Sequence, residues 1–349
     1  MADPLSNTGV RRRRIVAIAL VVTFAAAVAV LTSRGFGDGA PAPSPSARTE
    51  GPRLYLAGDG EVWMVNLDGH VKHLRTPQLG PGDPPHRIVA RGPRLVAWGY
   101  ETYSVDPKLK RPPSVLVDDS FFFLPSANRN RVWVAIPDDE REDEGIVATV
   151  HEITSGGKRT SRDVRPPGGR WPEAAVDDGL LFHRKGDVVV WDPVKRRVVH
   201  RLAGGDLGPT HGNRLASCDF GCRKLRLVNV ASGRTIFVEP PEGFVSFRAW
   251  DAAFSRDGRT LGVPVRERGN AGSVSLALVD VDSGVATAVP GTSTEMAYNF
   301  VAWDAAGEHV FFTGTDAAGG RTIFVHRIGA RDADLLDVDV GSFYDAAAI

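Results

Sequence analysis

The sequence predicts an all-β chain, a seven-bladed β-propeller preceded by a single N-terminal transmembrane helix, and three observations predict it. From residue 51 onward, short runs rich in Val, Leu, Phe and Trp are separated by Gly, Pro, Asp and Asn turns, with no long 3.6-residue period. One unit of strand, turn and strand recurs along that region at a near-regular interval. Upstream, residues 15 to 32 (IVAIALVVTFAAAVAVLT) carry no charge.

As a helix that uncharged run would be about 27 Å long at about 1.5 Å per residue, just enough for a hydrocarbon core. Arg11 to Arg14 stand before it and only Arg34 follows closely, so the positive-inside rule keeps residues 1–14 cytoplasmic and exports the C-terminal bulk of the chain. The span is placed at 15–33. Ala27-Val28-Ala29 offers the alternative of a cleaved signal peptide and a secreted protein; either way the main domain is extracytoplasmic. Residues 34–50, where Pro alternates with Ala and Ser, form a linker that cannot bury a core. The propeller domain occupies 51–349.

Composition bounds the function classes. Of 349 residues 42% are hydrophobic and 24% charged, as in globular proteins, and 42 basic residues balance 42 acidic ones. No global field recommends nucleic acid as a partner.

The repeat is read from seven copies aligned on Asn66, Asp106, Glu152, Asp192, Asn229, Asp280 and Arg327, at intervals of 40, 46, 40, 37, 51 and 47 residues. A further strand precedes each copy, from RLYLAG at Arg53 to HVFFTG at His309, which gives every blade a central hairpin. Earlier strands precede those in later blades, for example RIVARG from Arg87 and FVAWD from Phe300. The first blade has none, whereas the chain ends on GSFYDAAAI with no hairpin behind it. Residues 341 to 348 are therefore expected to return as the innermost strand of the first blade, hiding its edge.

Two stretches also resemble a known family. FSRDGRTLGV, residues 254 to 263, is similar to the TolB-type propeller repeat, with Asp257-Gly258 as the tight turn; AWDAAGEHVFF, residues 302 to 312, resembles a degraded copy with Ala306-Gly307 at that turn. Arg256 stands where the family has Pro. Trp191-Asp192 falls where WD40-like repeats place their dipeptide, without the Gly-His partners. The resemblance implies the fold and leaves activity open.

Cys218 and Cys222 are the only cysteines. They sit in the hairpin expected for the fifth blade, where a three-residue loop with Gly221 at positive φ would bring them to about 4.5 to 5.5 Å between Cα atoms. In an exported domain that reads as a disulfide. A zinc site would need two further ligands, of which His211 is one candidate, and a redox role would need an activated thiol.

No Gly-x-Ser-x-Gly elbow, phosphate loop or His-Glu-x-x-His helix occurs, so no catalytic residue, metal or cofactor is assigned. The acidic run 138 to 144 (DDEREDE) lacks calcium-loop spacing and reads as a solvated insertion. Asp280, Asp282 and Gly284 read as a strand end entering a turn. Loops entering the inner strands nominate a binding rim of Trp171, His211, Arg248, Trp250, Tyr298, Asn299 and Tyr344. The expected function is a membrane-anchored, non-enzymatic binding, scaffold or sensor module of the cell envelope taking a protein, peptide or glycan. The alternative is a propeller enzyme, hydrolase, lyase or quinoprotein-like, for which His211 with Asp251 is the one pair available.

Overall fold

The computed structural model describes residues 51–349 except 59, 77–86, 99–100, 119, 121, 138–146, 168–170, 271, 298 and 317. Gly51–Ile349 form one compact unit. The expected N-terminal segment, membrane helix and linker, the acidic run and Tyr298 lie outside the described residues. Among the described residues no helix is long and apolar enough to cross a membrane.

The chain folds as successive antiparallel meanders. The first is β1 (Arg53–Gly58), β2 (Glu61–Asn66) and β3 (Val71–Arg75); the second is β4 (Arg87–Arg91), β5 (Arg94–Trp98), β6 (Thr102–Val105) and β7 (Ser114–Val117). The third has three strands, β8 (Phe122–Pro125), β9 (Arg131–Pro137) and β10 (Val147–Thr154), with the isolated bridges Val150–Val164 and Ile153–Arg159 where a fourth strand would lie. Two four-stranded sheets come next: β11 (Ala174–Val176), β12 (Gly179–Arg184), β13 (Asp187–Asp192) and β14 (Arg197–Leu202), then β15 (Asp206–His211), β16 (Arg214–Cys218), β17 (Leu225–Asn229) and β18 (Thr235–Val238).

The last sheet contains two meanders. In one, β19 (Phe244–Phe247) and β20 (Ala253–Phe254) both lie along β21 (Thr260–Glu267), and β22 (Ser273–Asp280) pairs with β23 (Ala286–Ala288) and β24 (Thr294–Glu295). The other is β25 (Val301–Trp303), β26 (His309–Thr315), β27 (Arg321–Arg327) and β28 (Asp334–Leu336), joined to the first by the single pairing of Glu295 with Thr315. The chain end then returns as β29 (Asp345–Ala348) along β1, with Leu54 opposite Ala348 and Ala57 opposite Asp345. Arg53 and Ile349 exchange backbone hydrogen bonds at 3.1 and 3.0 Å, so the free edge of the first meander is filled by the tail of the same chain.

Side-chain alternation explains the packing. In β1, Leu54 and Leu56 point into a cluster shared with Phe311, Ile323 and Val325 of the last meander, while Tyr55 and Ala57 point into one shared with Ile88, Leu95 and Tyr103 of the second. Both faces are buried, which is why the central strands read as continuous apolar runs. The same two-sided arrangement joins the second meander to the third through Val96, Phe123 and Val134, the third to the fourth through Val150 and Phe182, and the fourth to the fifth through Val190 and Leu215. Leu225 and Leu261 join the fifth to the sixth, and Leu276 and Phe312 the sixth to the seventh. The first strands of neighbouring meanders touch at β29 with β4, β8 with β11, β11 with β15, β15 with β20, β20 with β25, and β25 with β29. These inner strands bring their two ends together as two separate clusters of side chains.

Candidate functional site

Where the inner strands begin, the sixth meander departs from regularity. Its inner strand is split into β19 and β20 by a 3-10 turn, Ala249–Asp251, which buries Ala249 and leaves Trp250 66% exposed. Arg248 Nε lies 2.6 Å from Asp251 Oδ2 across this turn, and the Arg248 Nη1 donates to Asn299 Oδ1 at 3.3 Å. Asn299 is fully buried, and its amide nitrogen donates to the carbonyls of Glu295 and Thr313, both at 3.2 Å. With both N–H groups committed to carbonyl oxygens, the amide oxygen has one orientation, toward the guanidinium. Burial pushes the Asp251 carboxyl up to about 6, against the opposing pull of Arg248.

A second carboxylate stands at the same end. Asp345, the first residue of β29, accepts hydrogen bonds from the backbone N–H groups of Ile88 and Ala346, both at 2.8 Å. Burial raises its carboxyl to about 6; those N–H groups and Arg87 oppose the shift, and the charge of Asp251 adds to it. Glu295, whose carbonyl holds Asn299, also lines a cavity of about 590 Å³ between the sixth and seventh meanders. Ser273, Ser293, Thr294 and Thr315 give that cavity a hydroxyl-rich wall, and the Thr315 hydroxyl is buried with no hydrogen-bond partner.

At the opposite end, where the inner strands finish, three turns share one design. Ser255 N–H donates to Thr260 O at 2.8 Å, Ser126 N–H to Arg131 O at 3.2 Å, and Asp304 N–H to His309 O at 3.1 Å. The Ser255 hydroxyl accepts from Thr260 N–H at 3.0 Å and donates to Asp257 at 2.7 Å. In the degraded copy the buried Asp304 carboxylate takes over, accepting from Glu308 N–H and facing His309 Nδ1, both at 2.9 Å. Asp304 thus stands at the lost serine's position but holds the N–H equivalent to the one Asp257 holds in the other turn, Arg259 N–H at 3.0 Å. Gly258, at φ +70°, has no room for a side chain, because a Cβ there would lie 2.3 Å from His211 Nδ1.

The rim expected from the sequence divides. Arg248, Trp250 and Asn299 come together at the start of the inner strands, and Tyr344 directly precedes β29, its N–H donating to Ala57 O at 2.8 Å. Trp171 is half-buried against the cluster joining the third and fourth meanders. His211 is misplaced by the sequence reading: it closes β15 at the finishing end, because DLGPTH is a strand with no apolar run to announce it. Its Nε2 lies 2.5 Å from Arg129 Nη2 and 3.0 Å from Arg256 O. Asp251 is held by Arg248 instead, so the nominated His211–Asp251 pair shares no hydrogen bond.

Cys218 and Cys222 form a disulfide, with Cα atoms 5.0 Å apart and Gly221 at φ +84°. The loop differs from expectation. Cys218 pairs with Leu225 rather than Cys222, so the bridge closes a six-residue loop from within; Cys222 O is drawn instead to Phe247 N–H of the next meander at 2.9 Å. On the chain-entropy model so short a loop contributes about 2 kcal/mol. Residues missed by the sequence reading are Asp345, Arg91, Arg129 and Arg256. Asp345 lies in the tail that closes the ring and Arg256 in the TolB-like turn, but Arg129 sits in SANRN, which has no Asp-Gly to mark it.

No family model matches the chain, and no curated protein matches it in sequence. Solved structures similar in fold include a functionally unknown protein from Desulfotomaculum acetoxidans, at TM-score 0.50 and 11% identity over 82% of this chain and 95% of that one. TolB from Acinetobacter baumannii is similar at TM-score 0.46 and 14% identity, covering 84% of this chain and 81% of its own. The RRP9 WD40 repeats are similar at TM-score 0.47 and 11% identity, covering 77% and 84%. TolB and WD40 repeat proteins are β-propellers, the type the sequence resembles.

Proposed function

We propose that the chain is a membrane-tethered, extracytoplasmic seven-bladed propeller that binds a protein, peptide or glycan of the cell envelope, as a non-enzymatic sensor or scaffold. The cyclic series of inter-sheet clusters, each meander packed on the next and the last on the first, supports seven blades. The uncharged run 15–32 with Arg11 to Arg14 before it supports the tether, and charge balance argues against nucleic acid as the ligand. The observation that carries the binding reading is the Asn299–Arg248–Asp251 network, beside an exposed Trp250 and a hydroxyl-lined cavity of about 590 Å³. The hydroxyl wall offers hydrogen bonds to a polar ligand, and the exposed Trp250 ring offers an apolar surface at the same end of the inner strands.

The experiment is crosslinked capture from intact membranes with the wild-type chain and with Trp250→Ala and Arg248→Ala. The expected outcome is one specific partner whose recovery falls about tenfold or more, as loss of a central aromatic or Arg contact costs at interfaces. Undiminished recovery with both variants discards this end as the binding face.

One observation favours a second reading, an enzyme. Asp251 and Asp345 hold carboxyls near 6, where a group can both give and take a proton close to neutral pH. Chemical turnover of a captured ligand that is abolished in Asp251→Asn, with capture intact, would select it.

A further inference from the structure

The finishing end of the inner strands collects positive charge without neutralising it. Arg91 closes β4, Arg129 stands in the β8–β9 turn, Arg256 in the β20–β21 turn, and His211 closes β15. Arg129 reaches His211 at 2.5 Å, spanning from the third meander to the fifth, and the same His211 nitrogen lies 3.0 Å from the carbonyl of Arg256. That nitrogen can accept from Arg129 or donate to the carbonyl, never both, so one of the two contacts is always unsatisfied.

The donors of this cluster are largely unused. A guanidinium has five N–H donors. Arg91 spends one on the carbonyl of its own neighbour Ala90, at 3.3 Å, and its Nε is buried with no partner. Arg256 donates to Ala305 O and Arg129 to His211. No carboxylate forms an ion pair with any of the three among the described residues. The acid that lines the cavity with them, Asp257, is already held by the Ser255 hydroxyl and by Arg259 N–H at 3.0 Å. Burial and the neighbouring Arg129 lower the Arg91 guanidinium to about 10, and burial with Arg256 lowers Arg129. Between Arg129, Arg256, Asp257, Ala306 and Gly307 lies a cavity of about 340 Å³.

We propose that this cavity is a site for a small oxyanion, a carboxylate or phosphate group, gripped by Arg129 and Arg256 with Arg91 behind them. Planar forks of N–H donors match the oxygen pairs of such groups, and the anion supplies the negative charge that the fold omits. Asp257 sets a limit on its size and charge, since a second anionic group would meet that carboxylate. The site lies at the other end of the inner strands from Trp250 and Arg248, so it stands or falls independently of the proposed binding face.

The test is calorimetric titration of the full chain in detergent with inorganic phosphate and, separately, acetate, which carries a single carboxylate, at constant ionic strength set by chloride. Saturable binding of one or both is expected, with affinity reduced about tenfold or more in Arg129→Gln and in Arg256→Gln and unchanged in Trp250→Ala. Preference for phosphate assigns a tetrahedral ligand, and preference for acetate a carboxylate. Both arginines are exposed and can be changed without opening a core; melting curves equal to wild type verify that the variants fold. Binding of neither probe, or binding that survives both substitutions, overturns the proposal.

Discussion

The two ends of the inner strands solve the same problem oppositely. At the starting end the carboxylates Asp251 and Asp345 are answered from within: Arg248, Arg87 and the N–H groups of Ile88 and Ala346 all face them, and Asn299 locks Arg248 in place. At the finishing end Arg129 stands between Arg91, Arg256 and a histidine, and the carboxylate that lines the cavity with Arg129 and Arg256, Asp257, is already occupied. Buried charge is costly unless it is paired, and at the finishing end that cost falls on Arg91, since Arg129 and Arg256 are exposed. A charge answered by its own chain is part of the scaffold, and one left unanswered next to a cavity awaits something from outside. The starting end offers shape and hydroxyl groups to a ligand, the finishing end offers charge.

The largest effect would come from removing the strand on which both ends lean. Deleting residues 341 to 349 takes away β29, leaves the backbone edge of β1 open, and strips Phe343 and Ala348 from one inter-sheet cluster and Ala347 from the next. Because those clusters close the cycle, loss of a single cooperative melting transition is the expected outcome, followed by circular dichroism. A truncated chain that melts like wild type would mean that the two ends belong to separately stable halves, and the comparison would lose its basis.

A smaller, pH-dependent effect tests the starting end alone. Asp251 and Asp345 titrate near 6 when folded against 3.8 otherwise, so between these values the folded chain holds more protons than the unfolded one. Stability then falls as pH rises from about 4 to about 6 and levels off above, each carboxyl losing about 1.4 kcal/mol for every pH unit crossed in that window. His151, which burial lowers below 6.5, acts in the opposite direction just under that pH, so the readout is the difference between variants. Asp251→Asn and Asp345→Asn are each expected to flatten the melting temperature against pH across that window. A slope that survives the double substitution would show that these carboxylates are ordinary surface acids.

Much of the architecture is legible in the sequence because it depends on repetition. The strand–turn–strand units and the orphan tail strand are written in runs such as RLYLAG and HVFFTG, whose apolar residues follow from burial on both faces. The exceptions share a cause. β15, with the sequence DLGPTH, is held by its position between β11 and β16 rather than by its own hydrophobicity, so local pattern puts His211 at the wrong end. The disulfide can be read from two cysteines flanking a short turn, but its loop cannot, since the contact of Cys222 O with Phe247 is made by the next meander. Arg91, Arg129 and Arg256 lie far apart in sequence, and only ring closure makes them neighbours.

The smallest expected effect separates the two ends most cleanly. Gly258 occupies φ +70°, which costs a side-chain-bearing residue about 1 to 2 kcal/mol, and its missing Cβ is what admits the His211 ring at that position. Gly258→Ala would push His211 away from the β20–β21 turn, and with it the Arg129 guanidinium that it holds at 2.5 Å. The melting temperature should drop by a few degrees, as a loss of about 1 kcal/mol at the midpoint implies for a domain of this size. Oxyanion affinity should fall as well, while the pH slope set by Asp251 and Asp345 stays as in wild type, because sites that share no partner act additively. A changed slope between about pH 4 and 6 would mean that strain at one end reaches the carboxylates of the other, so that the two clusters form one coupled network instead of two independent sites.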